Sequence, residues 1–338
     1  MRRTRFVILA LLFVVVAACG GQAPKASDTG TGLEKPTLKV AYLPVPDAAA
    51  LHIAIDEGFF AAEGLTIKPE AAQGAAFILG PLEGGSVDVG LMNYVSVIEA
   101  KAAGAHDVRI VADAYQAAPN TFVLMVKKGS ALKSPADLRG KRIGVATKRS
   151  IGTLSTEVLL ATYGISANEV TFMEFPLPEM PARLTAGDID VAWVTEPFIT
   201  ALQKSKGAEK IGDVMSDATA DFPVAGWGVT AEFARNHPRT VAAFQRAIGK
   251  AQEIAASDSN RVRAIIPTYT KIDAATADIM TLGAFPTTLE AARIERVLTI
   301  MRERGYLTKN IDKIDPMLIP LPATTSSPSP AALWCLAC

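Results

Sequence analysis

"LEGGSVDVG" at residues 82–90 and "LTAGDIDVA" at residues 184–192 follow one pattern: Leu-x-x-Gly-x-(Val/Ile)-Asp-Val, then a small residue. In each copy the leucine closes an amphipathic helical pattern, and Gly85 or Gly187 supplies the turn after it. An apolar run follows, over 87–92 and 189–194. It is too continuous for a sheet with one wet face, so it reads as a buried strand. Asp88 and Asp190 stand at the heads of these strands. That position fits a structural role, accepting hydrogen bonds from nearby turn amides, better than a catalytic one.

The likeness extends on both sides of the motif. "TLKVAYLPV" (37–45) and "KRIGVATKRS" (141–150) are each a strand running into a turn. A helical pattern follows each: Ala49 to Ala61 with Leu51, Ile55 and Phe59 on one face, and Gly152 to Tyr163 with Leu154, Val158 and Leu159. Second strands come at "LTIKPE" from Leu65 and "EVTFMEF" from Glu169; after the repeated motif, "GAHDVRIVADA" from Gly104 is matched by "GAEKIGDVM" from Gly207. Strands alternating with helices at this pitch specify a mainly parallel sheet flanked by helices. Two such units predict an α/β protein of two lobes.

Extended segments at Asn120–Gly129 and Pro223–Phe233 pass between the units, which makes two crossover strands and a hinge. The remaining chain is helical in pattern over 238–255, 260–269, 273–282 and 289–305. Stripes such as Val241, Phe244 and Ile248, or Ile294, Val297, Leu298 and Met301, assign these helices to lobe one. The expected organisation is 37–121 with 228–321 as lobe one and 122–227 as lobe two.

The 338 residues carry 34 Lys plus Arg against 34 Asp plus Glu, so no global field gathers nucleic acid. Arg2, Arg3 and Arg5 precede an apolar run from Phe6 to Ala18, too short to span a bilayer. Residues 1–18 read as a signal peptide, and Val16-Ala17-Ala18-Cys19 resembles the lipobox of bacterial lipoproteins, with Cys19 the acylated residue. Residues 19–36 have almost nothing to bury and form a tether. Residues 322–338 form a disordered tail, where Cys335 and Cys338 suggest an exported disulfide.

"YLPVPDAAALHIAIDEGFFAAEGL" (42–65), "LEGGSVDVG", "VKKGSALKSPADLRGKRIGV" (126–145) and "TEPF" (195–198) together resemble the periplasmic solute-binding proteins of the nitrate, sulfonate, taurine and thiamine-pyrimidine-precursor family. The resemblance covers about Leu38 to Leu321 and implies a type II binding-protein fold. It also implies a monomeric receptor, tethered to a membrane facing the periplasm or exterior, that closes on a small molecule and presents it to an ABC permease and ATPase. A ligand-sensing receptor without transport remains the alternative of the same architecture.

Ligands of open α/β sheets sit beyond the carboxyl ends of the strands. In lobe one those positions hold Tyr42, Asp47, Gln73, Gly74, Ala75, Asn93, Tyr94 and, at the crossover, Thr121. In lobe two they hold Thr147, Arg149, Ser150, Thr153, Thr195 and Glu196. Helix starts at 73–75 and 147–153 offer amides to an anion. The family's hydroxyl-rich first turn is "QGAAF" here, so that turn lacks serine; Ser150 and Thr153 partly restore the hydroxyls, and Arg149 can clamp a carboxylate or sulfonate. Glu196 can accept from a ligand amine or cap the helix after Pro197. Tyr42, Tyr94, Trp193 and Trp227 can stack on a planar ring. Trp193 reads foremost as a core residue, whereas Trp227 at the return crossover is the stronger site residue.

Pyrimidine-forming enzymes among the relatives use an active-site His, a cofactor Lys and clustered cysteines. Here Ala48 stands where the family often has that His, and Asp56 stands in the stretch that would need the Lys. His52, His106 and His237 are scattered, and no metal-ligand spacing, phosphate loop or nucleophile elbow occurs. The expectation is a binding protein, not an enzyme, with no cofactor and no metal.

Overall fold

A computed structural model describes residues 32–74, 76–309 and 311–322. Cys19, Cys335, Cys338, the signal sequence, most of the tether and nearly all of the tail lie outside the described residues.

Two five-stranded sheets organise the chain. The first contains β1 (Thr37–Tyr42), β2 (Thr66–Ala71), β3 (Val89–Asn93), β4 (Val108–Gln116) and β10 (Pro223–Thr230), in the order β2-β1-β3-β10-β4. The second contains β5 (Phe122–Val126), β6 (Arg142–Val145), β7 (Thr171–Glu174), β8 (Val191–Thr195) and β9 (Glu209–Asp213), in the order β7-β6-β8-β5-β9. The two orders are equivalent position by position. In each sheet four strands run in one direction, and the strand that has crossed over, β10 or β5, is antiparallel to both its neighbours. The antiparallel member follows from the connectivity, because a strand entering from the other lobe arrives from the cleft side.

The repeated aspartates fix this arrangement. Asp88 donates its amide to the Lys39 carbonyl and accepts the Lys39 amide on Oδ2, both at 2.9 Å. Asp190 does the same with Arg142, again at 2.9 Å twice. The expected partners were turn amides, but the turn amides of Gly85 and Ser86 return to the carbonyls of Leu82 and Pro81. The carboxylate is thereby left to the neighbouring strand, where it satisfies an amide just before the β1–β3 ladder begins at Val40 and Val89.

The crossovers touch where they pass, with the Ala117 amide donating to the Phe222 carbonyl at 2.9 Å. The long helix Pro238–Ser257 returns to lobe one; its buried Gln245 and Gln252 side chains donate to the carbonyls of Val111 and Ala114 on β4. Helix Ala291–Glu303 packs there too, sending Arg293 to Asp113 and Gln116.

Two helical expectations are corrected. The pattern over 49–61 is broken into Ala49–Asp56 and Phe59–Ala62 by Gly58, whose φ of 71° leaves the helical region. The pattern over 273–282 yields only Ala274–Ala277, because the chain beyond it is drawn out to bridge Ala284 with Gln116 of β4. Among the described residues no helix is long and apolar enough to cross a membrane.

Candidate functional site

β1, β3, β6 and β8 all end at the cleft between the sheets, and the segments that leave them enclose a cavity. About 60 Å³ of it is open to the centre of a water molecule. Lobe one contributes Asp47, Gly74 and Asn93; lobe two contributes Thr147, Ser150 and Thr195. Much of the remaining wall is apolar, including Leu43, Leu91, Phe122 and Trp193.

The polar centre joins two helix starts. Asn93 caps the helix Tyr94–Ala103, its Oδ1 accepting the Ser96 amide at 2.9 Å. The same oxygen accepts from the Ser150 hydroxyl across the cleft at 3.3 Å, and the hydroxyls of Ser150 and Ser96 are 2.9 Å apart. Ser150 begins the helix Ile151–Thr162, where Thr153 Oγ1 accepts the Ser150 amide and donates to its carbonyl. The first-turn amides of a helix have no partner within it. Ile151 and Gly152, in this first turn, line the cavity. A Cβ placed on Gly152 would come within 3.2 Å of the Trp193 ring, so glycine is what lets the helix start approach that wall.

Asp47 follows β1 in a short turn of 3-10 helix, Pro46–Ala48. The residue is 6% exposed, its Oδ1 has no hydrogen-bond partner, and burial raises its pKa to about 7. Tyr115 and Tyr269 stand nearby, both with raised pKa values, burial being the main cause and the Asp47 charge a further one.

Other residues expected at the site have different surroundings. Tyr42 packs edge-on against His52 and Tyr269, whose rings stack 4.0 Å apart. Gln73 is exposed beside Phe77 and Glu70 in a separate depression. Ala75 lies outside the described residues. Tyr94 is fully buried, its hydroxyl donating to Asp113 at 2.8 Å. Thr121 bonds within its own loop, and its carbonyl accepts from Thr195 Oγ1 at 2.9 Å. Arg149 pairs with Glu99 at 3.1 Å, donates to the Tyr306 carbonyl and lies 5.1 Å from the Tyr306 ring centre, so its guanidinium joins the lobes outside the cavity. Glu196 caps the helix Phe198–Lys206 through the Thr200 amide and hydroxyl, and it accepts from the Thr281 amide of lobe one. Burial raises its pKa.

The aromatic cage does not assemble. Trp227 is fully buried against Phe244 and does not line the cavity. Trp193 lines the cavity, with Phe122 stacked on it and its indole donating to Ser155. Period-2 alternation decides this: along a strand, neighbouring side chains take opposite faces, and proximity to a crossover does not say which.

Sequence reasoning missed Ser96, Glu99 and Tyr306. Ser96 had a signal, since it stands three residues after Asn93, the spacing at which a capping side chain meets a helix amide. Tyr306 had none, because only the fold brings it to Arg149. Among the described residues no group of His, Cys, Asp and Glu is arranged to hold a metal ion.

A sequence profile described as NMT1/THI5 like matches residues 45–261. The chain belongs to the NMT1/THI5-like family. This NMT1/THI5-like chain is 34% identical over 140 residues to the taurine-binding periplasmic protein of Escherichia coli, across 40% of this chain and 41% of that protein. It is 25% identical over 264 residues to the nitrate/nitrite binding protein NrtA of Nostoc, across 70% of this chain and 59% of that one. The chain therefore spans less than two thirds of the length of either relative. Its fold matches the alkanesulfonate-binding protein SsuA from Xanthomonas axonopodis bound to MOPS, with TM-score 0.71 and 18% identity over 84% of this chain and 98% of that chain. The type II periplasmic binding-protein fold is thus that of this NMT1/THI5-like protein as well.

Proposed function

We propose that this chain is an extracytoplasmic solute-binding protein that closes two lobes around a small anion-bearing solute and hands it to an ABC importer. The observation that carries this reading is the meeting of two helix starts through Asn93 and Ser150, both on the wall of a cavity between the lobes, with Ser96 buried behind them. Helix starts offer amides and a favourable dipole to negative charge. The relatives named for taurine and nitrate support a solute of that kind.

Size supports it too. A water needs about 10–15 Å³ on the same measure, so the cavity suits a solute of roughly four to six heavy atoms. That favours a nitrate-like anion or small sulfonate over a pyrimidine precursor. Residues 37–121 with 223–321 would form one lobe and 122–222 the other, since β10 lies in the first sheet. Cys19 would carry a lipid, residues 19–36 the tether, and the protein would act by binding without turnover.

Calorimetric titration with nitrate, taurine and ethanesulfonate, alongside scattering and tryptophan fluorescence, tests the reading. Binding should shrink the radius of gyration and change an emission signal that Trp193→Phe removes and Trp227→Phe keeps. Absence of binding to all three, or binding with an unchanged radius and unchanged emission, would overturn it. Retention of a Cys19→Ser variant on membranes would refute the anchor.

A further inference from the structure

Between the helices Ser259–Ile265 and Ala291–Glu303, residues 276–284 run as a strap with little regular structure of its own. Its backbone groups are satisfied by other parts of the chain instead. On the side of the first sheet, Arg263 donates to the carbonyls of Ala277 and Met280 at 2.8 Å each. The Gly283 amide donates to the Tyr115 hydroxyl, and Ala284 exchanges both its backbone bonds with Gln116 of β4 at 2.9 Å. Glycine is what seats this end, because a Cβ on Gly283 would overlap the Gln116 carbonyl oxygen. On the side of the second sheet two bonds hold the strap: the Thr281 amide donates to Glu196 at 3.2 Å, and Lys204 donates to the Thr276 hydroxyl at 2.9 Å.

The two sets of bonds differ in what their release leaves behind. Glu196 without Thr281 keeps the Thr200 amide and hydroxyl, and Lys204 is exposed and returns to water. Tyr115 is buried, so losing the Gly283 amide would strand its hydroxyl. The strap therefore parts from the second sheet more readily than from the first.

We infer that residues 276–284 are a closure latch: fixed to the first sheet, they dock on Glu196 and Lys204 when the lobes close and leave them when the lobes part. This rests on the solute-binding reading above and adds what governs release. No residue of the strap lines the cavity, yet both sets of anchors adjoin its wall, since Glu196 follows Thr195 and Tyr115 stands near Asp47. Glu196 and Lys204 are thus positioning residues that act on the solute through the lobes. A two-state element of this kind sets how long a solute stays, not which solute is recognised.

Amide hydrogen exchange followed by NMR on the solute-free protein tests the latch, because one strap carries amides bound to either side. Lys204 is on the surface, so Lys204→Met keeps the fold. This variant should speed exchange at Thr281 by about threefold or more and leave Gly283 and Ala284 within about 1.5-fold of the wild type. Thr276→Val, which removes the acceptor of the same bond, should do likewise, and combining the two should add little. Where taurine, nitrate or ethanesulfonate binds, it should leave Lys204→Met about threefold faster or more, with its association rate unchanged. Unchanged exchange at Thr281, or equal acceleration at all three amides, would overturn the latch, the second outcome showing a strap that frays as a unit. Failure of all three solutes to bind would overturn the solute-binding reading instead, and the exchange rates would still decide whether the strap moves against Glu196.

Discussion

The hydroxyls of Ser96 and Ser150 meet at 2.9 Å, one from each lobe, both buried. They form a direct side-chain bond across the cleft, behind the cavity wall that Asn93 and Ser150 share. A buried hydrogen bond of this kind contributes about 0.5–1.5 kcal/mol net. Ser96→Ala or Ser150→Ala should therefore weaken solute affinity roughly two- to tenfold. Ser150→Ala should be the worse of the two, because it also gives up the 3.3 Å contact to Asn93. In a double-mutant cycle followed by calorimetry, the pair should lose no more than Ser150→Ala alone. Fully additive losses would mean that the two hydroxyls act independently.

The duplicated aspartates differ in surroundings, and their variants should differ in stability. Asp88 is buried and also pairs with Lys35 at 2.6 Å, whereas the Asp190 side chain is 30% exposed beside Arg142. Asp88→Ala leaves the Lys39 amide without its partner, at a cost of about 2–3 kcal/mol; Asp190→Ala should cost about 1 kcal/mol, since water reaches the Arg142 amide more readily. Urea midpoints would check this order, and a reversed order would contradict the assigned roles.

Asp47 gives stability a pH signature. Its folded pKa of about 7 lies above its ordinary value of 3.8, so the fold holds a proton that the unfolded chain has released. Its contribution is fully present below pH 3.8 and is lost as pH rises through about 7, at a slope of at most about 1.4 kcal/mol per pH unit. Tyr115 and Tyr269, which face it, stay neutral over that window. His52, lowered to about 4 by burial, works with the opposite sign, losing stability as pH falls from 6.5. Asp47→Asn should flatten the Asp47 slope, raise stability at pH 7 and above, and leave the His52 limb intact. Parallel curves for the two proteins would contradict this.

Arg149 should tune closure without touching the solute. Its side chain is 47% exposed, and exposed ion pairs contribute about 0–1 kcal/mol. Arg149→Ala should weaken affinity by less than about tenfold, and added salt should reproduce part of that loss in the wild type. A loss of a hundredfold or more would place the guanidinium on the solute instead.

The fold was legible because its signals are periodic and local. The Leu-x-x-Gly-x-x-Asp pattern, the alternating elements and the apolar stripe of 238–255 each state a face and a boundary. The site was legible by position but not by direction. Asp47, Gly74, Asn93, Thr147, Ser150 and Thr195 meet around one cavity because strand ends and helix starts fix their place. Arg149 and Glu196 stand at equally suitable positions yet turn toward Glu99, Tyr306 and Thr281, partners distant in sequence that only the folded arrangement supplies. Tyr94 is drawn beneath the sheet by Asp113, a buried carboxyl that its own strand gave no reason to expect.

The amide clamps of Asp88 and Asp190 lie at the ends of the sheets remote from the cleft, and the residues proposed to meet a solute lie at the opposite ends. Each lobe is thus indexed at its base by a copied device, while its rim is under no such obligation. Mutation can rewrite the rim, and with it whatever the cavity accepts, without disturbing how the strands line up.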